Sequence, residues 1–186
     1  METSLIISSH TNRRRLKIRC LRMTNKPTFF DAVFVILAVS AIITTALCGF
    51  NIGLAAPFCF SFILYIFARK DIKDRIIPHH WWLVCVPFCI LGLITSPHIT
   101  SVIISLIMAG LFFALGFFRI LNGADALALC CMFCCFSSTG IIPISILVLP
   151  ASFILCGLLM AANREWRKGV PYLVPLSICC VLALCL

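Results

Sequence analysis

Charge is what this chain has least of, and acid least of all. Only 11% of its 186 residues are charged, against 62% hydrophobic, and just 6 are Asp or Glu. A soluble domain carries about 25% charged residues. The composition therefore excludes a soluble globular protein, makes lipid the solvent for most of the chain, and leaves no polar stretch for a separate soluble domain. Cysteine is plentiful, at 13, but a disulfide framework does not follow. All except Cys20 lie inside apolar runs, including Cys130, Cys131, Cys134 and Cys135 of "CCMFCC", where cysteine behaves as a small hydrophobe. A metal site needs partner ligands such as His or Asp close by, and here only Asp125 is near in sequence. "CCMFCC" therefore reads as helix packing, with no metal and no cofactor expected.

Apolar runs of roughly 17–25 residues occur at about 29–49, 51–68, 81–96, 98–118, 124–139, 141–162 and 170–186. The expected fold class is all-α: a polytopic membrane helical bundle of about seven spans. Pro57, Pro87 and Pro150 fall within these runs, which membrane helices tolerate when neighbours satisfy the freed carbonyls.

Base is the one charge in supply, 15 Lys and Arg for a net charge of +9. The bases lie in the N-terminal tail, between the second and third runs (Arg69, Lys70, Lys73, Arg75), at Arg119, and at Arg164, Arg167 and Lys168. With seven spans and a cytoplasmic N-terminus, all four places are cytoplasmic, while the base-free segments around residues 50, 97 and 140 fall outside. That asymmetry satisfies the positive-inside rule and supports the count independently of hydropathy. The tail "RRRLKIRCLR" is then a membrane flank and needs no nucleic acid. "HHWW", residues 79–82, reads as an interfacial belt at the entry to the third span.

The six acids sort quickly. Glu2 is in the tail and Glu165 in a basic loop, while Asp31 opens the first span, where a helix N-terminus favours an anion. Asp71 and Asp74 share the loop after the second span. Asp125 sits at the mouth of the fifth, in "LNGADALAL", behind Gly123 and Ala124, whose small size lets another group approach. An ionisable residue at membrane depth is a functional candidate by default. The topology brings the end of the second span and the start of the fifth to one cytoplasmic face. Two carboxylates meeting there cannot both ionise cheaply, so they share a proton. One serves as general base toward water and the other as general acid toward a leaving amine.

The two stretches resemble the motifs of the type IV prepilin peptidases and archaeal preflagellin peptidases, membrane aspartic proteases of the GxGD type. "DIKDRIIPH" places Asp71 in the first catalytic slot, with Arg75 and Pro78 in the supporting positions. "NGADALAL" places Asp125 in the second, behind Gly123 and Ala124. "GVPYLVPL", residues 169–176, is similar to the family's proline-containing last helix. The register counted back from Pro78 selects Asp71 over Asp74, which is expected to pair with Lys70 or Arg75 at the surface. His79 stands where the family usually has Asn, Asn122 and Ala124 replace glycines, and Leu127 stands where many members carry Lys.

The resemblance covers roughly residues 51–186 as a six-span domain, with an extra span at 29–50 and a basic tail at 1–28 outside it. It implies an aspartic endopeptidase of the cell membrane that removes the short basic leader of a prepilin or archaellin-like precursor at the cytoplasmic face. The expected partners are lipid and that precursor. The cytoplasmic domain with paired CxxC motifs that serves N-methylation in bifunctional members is absent, so no methyl transfer is expected. Two other readings stand beside this one. A presenilin or signal-peptide-peptidase relative would carry Tyr-Asp and Pro-Ala-Leu, but here Asp71 follows Lys70 and no "PAL" occurs. A small transporter or assembly subunit would use the aspartates structurally.

Overall fold

A computed structural model describes residues 29–48, 51–74, 77–140, 144–162 and 172–185. Among them there are seven α-helices and no strand: α1 (Phe29–Cys48), α2 (Ala55–Asp74), α3 (Val86–Ile94), α4 (Ile99–Phe117), α5 (Gly123–Cys135), α6 (Ser145–Ala162) and α7 (Leu173–Ala183). Short 3₁₀ helices at Ile52–Leu54, His79–Cys85 and Phe136–Thr139 extend three of the apolar stretches. Two stretches, Ile52–Ile72 and Ile99–Phe117, are long and apolar enough to cross a membrane by length and composition. Two units divide the chain, Met1–Ala32 and Val33–Leu186. Of the first, residues 29–32 are described, the opening turn of α1 with Asp31 in it.

Each apolar run contains one α-helix, and the prolines refine where those helices begin. Pro87 lies in the first turn of α3 rather than inside a helix, because its missing N–H is unused there. The stretch leading into α3, His79–Cys85, which includes the start of the third run, is 3₁₀ helix. Pro57 likewise falls in the opening turn of α2, so among the described helices only α6 carries an interior proline, Pro150.

The core is built on α2, α5 and α7. On α2 the buried residues Pro57, Phe60, Ser61, Leu64, Phe67 and Ala68 recur at helical spacing, a single inward stripe. On α5, Ala126, Leu129, Met132, Phe133 and, just beyond it, Phe136 are buried, and α7 is buried along Leu173–Ser177. Small residues let the helices close up. A Cβ on Gly92 of α3 would lie 2.6 Å from the Cys134 carbonyl oxygen, and one on Gly116 of α4 would lie 2.6 Å from Ala126 Cβ. Phe112 of α4 stacks on Phe133 with centroids 5.6 Å apart, and the Cys130 thiol donates to the Ala109 carbonyl at 3.1 Å. Helix α1 is peripheral, meeting α2 and α7 through Phe34 and Ala41, with Phe34 stacked on Tyr65 at 3.9 Å.

The outward faces are apolar. Ile36, Ile107, Leu147 and Ile154 are 68, 64, 69 and 65% exposed, whereas Ser101, Ser105, Ser137, Ser145, Ser152 and Ser177 are buried. Apolar side chains therefore cover the outside as well as the core, and the buried hydroxyls lie among the helices. The three base-free segments come together at one end. Ser96 and Ser101 both donate to the Ser137 carbonyl, at 2.9 and 2.6 Å, and Ser138 donates to the Gly53 carbonyl.

The tryptophans of "HHWW" depart from the belt expected of them. Trp82 is buried edge-on against Phe67, with centroids 4.9 Å apart. Trp81 is half-buried beneath Lys70, whose Nζ stands 3.5 Å from the ring centroid. An amphipathic ring can seal a helix junction as readily as it can sit at a headgroup, and here the junction with α2 takes both. The expected pairing of Asp74 falls on side chains outside the described residues, as does Arg75.

Candidate functional site

Asp71 lies near the C-terminal end of α2, one turn beyond Ala68. That spacing continues the buried stripe Leu64–Phe67–Ala68, so the carboxylate belongs to the inward face rather than to the charged surface around it. Asp125 occupies the equivalent place on α5. It stands in the first turn, one turn ahead of the buried Ala128 and Leu129. Both aspartates are half-buried.

The turn into α5 is held by local chemistry. At the end of α4, Arg119 adopts a left-handed backbone, φ 58°, and its N–H bonds to the Gly116 carbonyl at 3.1 Å while that of Ile120 reaches Leu115 at 3.0 Å. These bonds satisfy the last carbonyls of the helix. Asn122 then caps α5 in an extended conformation (φ −61°, ψ 135°) without spending its side chain on the cap. The Asn122 side-chain amide instead lies within hydrogen-bonding reach of the Asp125 carboxylate.

The two motifs meet. Asp71 lies near enough for its charge to be felt at Asp125, so the end of α2 and the start of α5 bring two carboxylates into one region. The intervening motif residues close around them. Pro78, extended at φ −62° and ψ 134°, caps the 3₁₀ helix His79–Cys85 and accepts from the Trp81 N–H at 3.1 Å. His79 then lies against Gly123: a Cβ there would stand 3.2 Å from His79 Cε1. Gly123 and Ala124, both half-buried, form the first residues of α5. Of the sequence-predicted site residues, Asp71, Pro78, Gly123, Ala124 and Asp125 therefore gather in one region.

Comparison with known proteins adds nothing to this geometry. No protein-family model, curated protein or solved structure matches the chain.

Four residues join the site that sequence reasoning left aside. Asn122 appeared as a departure from the resembled motif, and His79 as another and as part of the belt, yet one lies within reach of Asp125 and the other packs on Gly123. The charge of Asp125 also reaches Tyr172, at the N-cap of α7, and Cys156 of α6. Tyr172 is fixed there by a 2.7 Å hydrogen bond between its hydroxyl and that of Ser152. The one sequence hint was that Tyr172 falls in "GVPYLVPL". Among the described residues no group of three or more His, Cys, Asp or Glu side chains is arranged to hold a metal ion. What the site offers chemically is two neighbouring carboxylates, with an amide within reach of one of them and a tyrosine hydroxyl in range of its charge.

Proposed function

We propose that this protein is a polytopic membrane aspartic endopeptidase. It removes the short basic leader of a prepilin- or archaellin-like precursor on the cytoplasmic side of the precursor's hydrophobic helix. One observation carries the reading. Asp71 and Asp125, 54 residues apart by subtraction, head the buried stripes of α2 and α5 and interact through their charges. In the peptidase, one carboxylate of the pair is ionised and takes a proton from water as that water attacks the scissile carbonyl. Its partner is protonated and gives its proton to the departing amine. The pair titrates as a unit, so neither role belongs to one residue for the whole cycle.

The membrane setting has its own support. Seven helices with aliphatic outer faces, and two stretches long and apolar enough to cross a bilayer, support a multi-span reading. The base-free segments around residues 50, 97 and 140 gather at one end, while Asp71 and Asp125 sit on the other ends of α2 and α5. This is the arrangement that a cytoplasmic N-terminus and a cytoplasmic site in the cell membrane require. A substrate helix arriving through lipid then presents its leader at the height of the dyad, and lateral docking supplies orientation.

The test is co-expression of a pilin-type precursor with the wild type, Asp71→Asn or Asp125→Asn, followed by electrophoresis for the leader-cleavage shift. Each substitution is expected to reduce cleavage by at least about 10²–10⁴-fold, the usual contribution of one general acid or base. Full cleavage by either variant would reduce the aspartates to structural groups and end the peptidase reading.

A further inference from the structure

A second cluster of reactive groups lies in the same bundle, and nothing in the carboxylate chemistry uses it. Cys89 of α3 places its sulfur 3.8 Å from that of Cys135 on α5 and 3.9 Å from the Cys131 carbonyl oxygen. Cys131 and Cys134 also lie within hydrogen-bonding reach of Cys89, and Cys131 within reach of Cys85. All of these cysteines are free thiols.

Helix packing explains small residues along this seam, but it does not require sulfur from both helices at one level. Gly92 sits one turn beyond Cys89, and a Cβ there would stand 2.7 Å from the Cys135 carbonyl oxygen and 2.8 Å from Cys135 Cα. The two backbones therefore run almost in contact beside the facing thiols. That is the close approach a disulfide needs, with its Cβ atoms about 3.5–4.5 Å apart and its sulfurs about 2.05 Å apart. Closing the gap moves sulfur by less than about 2 Å, within the reach of side-chain rotation.

We infer that Cys89 and Cys135 are a reversible redox pair that forms a disulfide between α3 and α5. The oxidant class is a hydroperoxide able to enter the apolar phase. Cys89 is only half-buried, whereas Cys135 is fully buried, so Cys89 is the sulfur attacked first. Its thiolate takes the terminal peroxide oxygen, the O–O bond breaks, and the alcohol leaves, giving a sulfenic acid. The Cys135 sulfur then displaces that hydroxyl as water, forming the S–S bond. Two thiols have lost two electrons and two protons, and one peroxide has become alcohol and water. A small-molecule thiol returns the pair to the reduced state by exchange. The cross-link joins the segment that follows His79 to the helix that begins beside Asp125, but the inference itself does not depend on peptidase activity.

The full chain, purified in detergent, is exposed to tert-butyl hydroperoxide, and the remaining thiols are alkylated and mapped by mass spectrometry. The expected result is the loss of two alkylatable thiols, reversed by dithiothreitol, with one cross-linked peptide joining α3 to α5 through Cys89 and Cys135. Cys89→Ala and Cys135→Ala each abolish that species, while Cys59→Ser on the exposed side of α2 leaves it unchanged. An unchanged thiol count in the wild type overturns the inference. So does a bond from Cys89 to Cys131 or Cys134, or oxidation confined to adjacent cysteines. Because the wild-type map decides on its own, poor folding of either alanine variant does not shield the proposal.

Discussion

Substituting Gly92 by alanine tests the contact on which the placement of α5 depends. The new methyl group would meet the Cys134 and Cys135 carbonyl oxygens at 2.6 and 2.7 Å and Cys135 Cα at 2.8 Å. All three are backbone atoms of a buried helix, so no flexible side chain can yield and α3 must move. Overpacking of this kind costs about 1–3 kcal/mol. Alanine also favours the helix by about 0.5–1 kcal/mol relative to glycine, which blurs a single measurement. Gly110 of α4 supplies the control, since it is also inside a helix and a Cβ there meets nothing within 4 Å. Comparing Gly92→Ala with Gly110→Ala cancels the propensity difference and leaves the steric cost. The melting temperatures of the two variants in detergent should differ by roughly 2–12 °C, at about 2–4 °C per kcal/mol for a chain of this size, with Gly92→Ala the lower. Equal melting temperatures would mean that α3 and α5 are not in backbone contact. Both the redox pair and the seating of Asp125 would then lose their support.

Two further expectations concern the site and its rim. Asn122→Ala removes the amide within reach of Asp125 without removing a helix-capping bond. Precursor cleavage should fall by roughly ten-fold or more, one charge-assisted hydrogen bond, while the melting temperature stays near that of the wild type; a large stability loss with normal specific activity would refute this role. Lys70→Ala and Trp81→Ala should show a coupling of about 0.5–1 kcal/mol in a double-mutant cycle, the worth of an exposed cation–π contact, given Nζ 3.5 Å from the ring. Additive effects would show that the contact contributes nothing.

Hydropathy located the helices well because each is built around an apolar run. The seven apolar runs each contain an α-helix, and short 3₁₀ segments adjoin three of those helices. The third run was legible as apolar but not as partly 3₁₀, since hydropathy ignores the backbone demand of Pro87. Asp71 and Asp125 could be found because charge is so scarce that each acid stands out. Their neighbours could not. Whether Asn122 caps its helix or bonds Asp125, and whether His79 reaches Gly123, depends on side-chain direction across a junction. The tryptophans misled for a similar reason, because an aromatic ring at a span entrance suits a headgroup belt and a buried junction equally, and only the position of Phe67 decides for Trp82.

The hydroxyl bonds at the base-free end have a consequence for the opposite one. Ser96 and Ser101 grip the Ser137 carbonyl, and Ser138 grips that of Gly53, so the far end of α5 is pinned and the helix acts as a measuring rod. Between Cys135 and Asp125 that rod rises about 15 Å, and its length fixes the height at which the carboxylate is delivered. Deleting one residue within it would lower Asp125 by about 1.5 Å and swing it by about 100° around the axis, turning it away from Asp71 while leaving every residue at both ends intact.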